Sequence, residues 1–368
     1  MTQHKFRAIA LPATLALVLT SLMGAAAAEA TPPPPAHGEF RTSVPTAAAQ
    51  EGFADRLSLW AEKDGVLQVG LTSIHGDELA ALKKHLGPDV VVFQQDVVEP
   101  AFKKTRVSAP APVKAVAAPP KKSGGSATTT LAAASLTPSN VPPFIDSTPY
   151  YGGDRIVNQR LINGQWWIFE CTVSSPYLKS TTTYMMTAGH CGPVGASWYQ
   201  GYYDGTYIWN SGTMGTASYV QWGNNRTDGA LLSGSSYSPY VWTNGSTYTA
   251  AHVTGAASVA PKSSTYAGTP VCTAGSFTGY ACGGRVSLIN ACVNVSEGSV
   301  IYSVCGLDAA VAPTPIVQSG DSGGPVVVPV SGGVQMAGTI SAQSDGGKTV
   351  FFADVKYLQQ VFTATVVH

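Results

Sequence analysis

Charge is scarce in this sequence: only 11% of its residues are Asp, Glu, Lys or Arg, and 21 basic residues cancel 21 acidic ones. A net charge of zero leaves no whole-chain field to draw the protein onto nucleic acid or an anionic membrane, so neither is expected as a partner. Cysteine is absent before Cys171 and after Cys305, which confines all six cysteines to one part of the chain. Among them there is no Cys-x-x-Cys spacing, which argues against a bound metal, and no cofactor motif points to a prosthetic group. Histidine is also sparse, and beyond residue 148 only His190, His252 and His368 remain. What is plentiful is apolar residues, 44% of the chain, too many for a disordered polymer.

The longest apolar run lies at the start. Lys5 and Arg7 precede residues 8–22, and Ala25, Ala26, Ala27, Ala28 and Ala30 follow. Charged region, short apolar region and small-residue cleavage site in that order predict a signal peptide over residues 1–28 and a secreted, extracellular product. The run is interrupted by Pro12 and is shorter than the roughly 20 residues needed to span a bilayer. Disulfides persist in the compartment this implies.

Residues 31–50 are rich in Pro and Ala and read as a flexible leader. The stretch 51–99 reads as a small α+β unit. It has a strand over 66–71, a helix over 77–86 with Leu79, Leu82 and Leu86 at helical spacing, Gly87 as its C-cap, and a second strand over 90–93. Such a unit has a small core and marginal stability alone. Residues 107–147 turn to Pro, Ala, Ser, Thr and Lys and read as an exposed linker, the kind of segment where proteolysis concentrates. Signal, small unit over 29–106, cuttable linker and large domain over 148–368 make the layout of a precursor.

The large domain reads as all-β. Short runs over 166–173, 183–187, 334–342 and 349–355 alternate with Gly, Asn, Asp and Ser turns at sandwich or barrel spacing. Only Val355, Leu358, Val361 and Phe362 recur at helical offsets, which predicts one short C-terminal helix.

Three short segments carry chemistry. Gly320-Asp321-Ser322-Gly323-Gly324-Pro325 places a serine on a glycine-rich turn, where the N–H groups of Gly320 and Ser322 can face a developing oxyanion. Taken alone it would pass for an ordinary turn. Thr187-Ala188-Gly189-His190-Cys191 supplies one of the few available general bases, although a lone histidine is more often structural. Asp228 enters the apolar run 230–232, where a carboxylate needs a partner, either an imidazole N–H or its own turn backbone.

Together, in the order His190, Asp228, Ser322, these segments resemble the chymotrypsin-like serine proteases, and more closely the secreted bacterial branch with the streptogrisins and alpha-lytic protease. The resemblance covers roughly residues 150–367. It implies two six-stranded antiparallel β-barrels with the site in the cleft between them and a short C-terminal helix. It also implies Ser322 as nucleophile, His190 as base, Asp228 as its orienting acid, and Gly320 and Ser322 as the oxyanion hole. By the same resemblance, a pro-segment before the large domain aids folding and inhibits until removed. The active form is then a monomer acting on protein or peptide substrates, with an amino-terminus between residues 107 and 153.

The family pattern pairs Cys171 with Cys191 and Cys272 with Cys282, which leaves Cys292 with Cys305, a departure from the branch. Substrate walls map onto Ile316, Val317 and Ser319 on one side and Ser341, Ala342 and Gln343 on the other, with Phe351 and Phe352 nearby. No carboxylate falls there to hold Lys or Arg, so small to medium apolar residues are expected before the cut. Thr273 stands where the branch tends to carry an arginine paired with Asp321, leaving Arg285 or a new amino-terminus as candidate partners. An obstructed cleft on the same fold would instead make a non-catalytic binding module.

Overall fold

The structure, a computed structural model, describes residues 39–118, 145–244, 249–263 and 267–368. The expected signal peptide and most of the expected linker lie outside the described residues.

The first described unit begins with a helix, α1 (Phe40–Gln50), where a flexible leader was expected. Phe40, Val44, Ala47 and Ala48 fall on one face and are buried, so apolar spacing outweighs the Pro and Ala composition that suggested a leader. The strands Leu57–Lys63 and Val66–Leu71 form a hairpin through Asp64 and Gly65. Both turn residues have positive φ, 53° and 78°, as a tight hairpin turn with the right-handed twist requires. A second helix, α2 (Glu78–Leu86), crosses to Val90–Gln94, which lies parallel to Val66–Leu71. Strand, helix and strand fall where the sequence predicts them.

This small sheet does not end there. Leu59 and Trp60 pair with Val293 and Cys292, so the N-terminal strands and the large domain share one 13-stranded sheet. Trp60, Cys292 and Cys305 share one buried apolar cluster. The unit's small core is enlarged by the body it rests on.

The large domain is all-β in two lobes. In the second lobe, ladders run from Pro270–Gly275 to Gly279–Glu297, Val300–Val311, Thr349–Asp354, Gly333–Ser344 and Pro325–Val330, then back to Pro270–Gly275, a closed ring of six strands. In the first lobe, pairings connect Gln165–Thr172, Arg155–Ile162, Ser197–Tyr203, Ile208–Gln221, Gly229–Ser233 and Thr182–Thr187 in that order. The free edge of Gln165–Thr172 is taken by a strand from the N-terminal region, Lys103–Val107.

Just beyond it, Val113–Ala115 lies parallel to Ile208–Gln221, Ala111 is buried, and Gln159 bonds both the N–H and the carbonyl of Ala111. The expected linker is therefore docked at Ala111 and through a short ladder over 113–115, while Ser108, Ala109, Pro110, Pro112 and Val113 stay exposed. The C-terminal helix, α3 (Val355–Phe362), buries Val355, Leu358 and Phe362, and Asp354 caps it by accepting the Tyr357 N–H at 2.8 Å.

Candidate active site

Each lobe supplies part of one cleft. His190 follows the strand Thr182–Thr187, in a short turn that Cys191 ties to Cys171 on Gln165–Thr172. Asp228 sits immediately before Gly229–Ser233, and Ser322 shortly before Pro325–Val330 of the second lobe. His190 Nε2 lies 2.7 Å from Ser322 Oγ, and His190 Nδ1 lies 2.7 Å from Asp228 Oδ2. A carboxylate can only accept, so Nδ1 carries the proton and Nε2 is left to accept from the serine hydroxyl.

Asp228 is fully buried and well supplied with donors. Its Oδ1 accepts the N–H groups of Gly189 at 2.6 Å and His190 at 3.1 Å, and its Oδ2 also accepts Ser341 Oγ at 2.6 Å. It serves the histidine turn, and the alternative of an Asp capping its own turn does not hold. Beside the imidazole stand the rings of Trp222 at 4.9 Å and Phe102 at 5.3 Å, centroid to centroid.

The serine turn depends on glycine at two positions. Gly320 has φ of 105° and Gly323 of 88°, a region that side chains strain to adopt. A β-carbon on Gly323 would also meet Thr172 O and Thr187 Oγ1, each at 2.1 Å. Asp321 is buried within the turn and accepts N–H groups from Phe277, Thr278 and Gln318. Burial pushes its carboxyl above the usual range, and those donors pull it back.

Arg285, one of the candidate partners, does not pair with Asp321. Arg285 turns to Gly268 O, while Arg155 is the nearby cation, stacked 3.5 Å from the Phe277 ring centroid and bonded to Ser276 O. Thr273, at the family's arginine position, instead donates to Ile316 O and fixes the segment expected to floor the pocket.

The groove is filled by the chain itself, by residues 99–101 of the region ahead of the large domain. Glu99 and Pro100 pair with Gln343 and Ala342, and the Ala101 N–H reaches Ser341 O at 3.3 Å. The Ala101 carbonyl oxygen accepts both Gly320 N–H at 2.6 Å and Ser322 N–H at 2.9 Å. Ala101 is fully buried in the cluster that contains Ile316, Val317 and Phe352. Expected wall residues Ser341, Ala342 and Gln343 thus line the occupied groove, Ile316 and Val317 lie in the apolar cluster, and Ser319 is exposed beside Gly320. The three disulfides are Cys171–Cys191, Cys272–Cys282 and Cys292–Cys305, as expected.

The chain resembles the bacterial chymotrypsin-like serine proteases. Among solved structures it is similar to Thermobifida fusca protease A, at 24% identity over 59% of this chain and 97% of that one, with a TM-score of 0.42. It is likewise similar to Nocardiopsis protease, at 24% identity over 59% of this chain and 98% of that one, TM-score 0.42. A third is alpha-lytic protease homolog N4, at 23% identity over 58% and 97%, TM-score 0.42. No family model and no curated protein matches the chain.

Proposed function

We propose that this protein is a secreted serine endopeptidase made as a self-blocked precursor, with Ser322 as nucleophile, His190 as base and then acid, and Asp228 as the residue that orients the imidazole. The observation that carries the reading is the Ala101 carbonyl oxygen. It sits between two converging N–H groups beside a serine whose hydroxyl faces a correctly protonated imidazole. An attacking Ser322 oxygen would form a tetrahedral centre whose oxyanion those two groups hold, each worth about 3 to 4 kcal/mol in enzymes of this chemistry. His190 would pass the serine proton to the leaving amine, and water would then release the acyl group by the same route in reverse.

Three features support the remaining parts of the reading. Apolar surroundings of Ala101, with Ile316, Val317 and Phe352 in its cluster, favour small to medium apolar residues before the cut. The segment lying in the groove supports a precursor inhibited by its own N-terminal unit. Three disulfides favour an oxidising, extracellular setting.

A fluorophosphonate probe tests the reading. Protein freed of its N-terminal unit is expected to be labelled at Ser322, and the Ser322→Ala variant to stay unlabelled. Freed, folded protein that takes up no probe would overturn it.

A further inference from the structure

Resting on that reading, we propose that Ala101–Phe102 is the first peptide bond this protein breaks, and that it breaks it within its own molecule. Residues 98–107 cross the cleft as an extended chain held on both sides of this one bond. On the acyl side, Val98 bridges Val295 and its carbonyl accepts the Ser296 N–H at 2.8 Å, Glu99 and Pro100 pair with Gln343 and Ala342, and the Ala101 carbonyl lies in the oxyanion site. On the amine side, Phe102 packs against His190 and Phe169, with ring centroids at 5.3 and 6.0 Å. Lys103 Nζ then reaches Glu170 Oε2 at 2.7 Å, and Lys103–Val107 ladders onto Gln165–Thr172.

The two ladders belong to different lobes, so the bond between them is drawn over Ser322. No other bond in this stretch presents its carbonyl oxygen to Gly320 and Ser322.

The step balances without any added reagent. Ser322 Oγ bonds to the Ala101 carbonyl carbon, the Ala101–Phe102 C–N bond breaks, and the serine proton moves through His190 to the Phe102 nitrogen. Water then hydrolyses the Ala101 ester, giving a carboxylate at Ala101 and an amino-terminus at Phe102. Residues 103–107 and 113–115 remain laddered to the first lobe, so the first product begins at Phe102 and not within residues 107–153, where the linker reading placed the mature start. The substrate class that follows is an extended peptide with an alanine-sized residue before the cut and an aromatic residue after it.

The test follows the purified full chain by intact mass and N-terminal sequencing. Wild type is expected to yield a new amino-terminus at Phe102 at a rate unchanged over a hundredfold dilution, while Ser322→Ala remains one piece. Ala101→Trp overfills the buried pocket and should slow the cut by tenfold to about a hundredfold. Ala101→Gly, which cannot clash, should still be cut at the same bond. A first product starting elsewhere, or a rate that falls with dilution, would overturn this inference while fluorophosphonate labelling at Ser322 left the protease reading standing. Absence of both cleavage and labelling would overturn the two together.

Discussion

Ser341 reaches across the cleft to Asp228: its hydroxyl, on a strand of the second lobe, donates at 2.6 Å to the carboxylate that holds His190 in the first. Its carbonyl oxygen meanwhile receives the N–H of Ala101. One residue therefore orients the acid and seats the peptide.

Removing only the hydroxyl separates the two duties. Ser341→Ala in the released protease should lower kcat by about 10- to 100-fold, the equivalent of one hydrogen bond to a charged group, with KM nearly unchanged. Steady-state kinetics on a small peptide check this, and a change confined to KM would contradict it.

Asp228→Asn keeps the shape of the turn but puts the wrong donor against His190 Nδ1. Turnover should fall by roughly ten-thousandfold while the thermal midpoint stays close to wild type. Peptide hydrolysis and calorimetry on the same preparation decide it.

Gly323→Ala places a methyl group against Thr172 O and Thr187 Oγ1 at a backbone angle of 88°. A loss of about 1–3 kcal/mol is expected from crowding and strain, together with loss of activity, because the Ser322 turn must shift. Denaturant unfolding gives the first quantity and probe labelling the second.

Cys292 and Cys305 close a short loop between neighbouring strands and pack beneath Trp60 of the N-terminal unit. Replacing both by alanine should cost roughly 2–4 kcal/mol. Unfolding in denaturant should show it as a lower midpoint.

Burial, with Asp354 beside it, pushes the Asp308 carboxyl up to about 8, against one hydrogen bond from the Asn290 N–H. The folded protein thus keeps a proton that the unfolded chain gives up above about pH 4. Stability is full below that point and falls as pH rises toward 8. Melting temperatures should decline from pH 5 to 8, and Asp308→Asn should flatten the decline; a wild-type profile that rises over this range would refute it.

The residues proposed to react were legible in the sequence because few others could compete. Three histidines in the large domain and one glycine-bracketed serine left little choice, and the order of the motifs did the rest. Disulfide pairing came through the family resemblance and agrees with the structure. Strands and the C-terminal helix were readable from residue period. The ring of six strands in the second lobe and the open edge in the first were not, because both are properties of backbone pairing.

The same blindness hid the groove's occupant. Val98, Glu99, Pro100 and Ala101 carry no mark of a bound peptide, since main-chain hydrogen bonds along a strand depend little on side chains. Helix α1 was missed for a different reason: alanines at helical spacing look like low complexity until Phe40 and Val44 are seen to share their face. Ser341 was expected as a pocket wall, and nothing local could place its hydroxyl on a carboxylate more than a hundred positions away.

The hairpin made by Gly279–Glu297 and Val300–Val311 carries one more implication through its pairing with Leu59 and Trp60. Departure of the N-terminal unit would strip that arm of a neighbour, leaving unsatisfied amides and carbonyls in water next to freshly uncovered apolar surface. Bare borders of this kind recruit whatever extended chain comes near, a stranger's as readily as their own. The secretion proposed for this molecule would then, by diluting it, act as a safeguard against clumping.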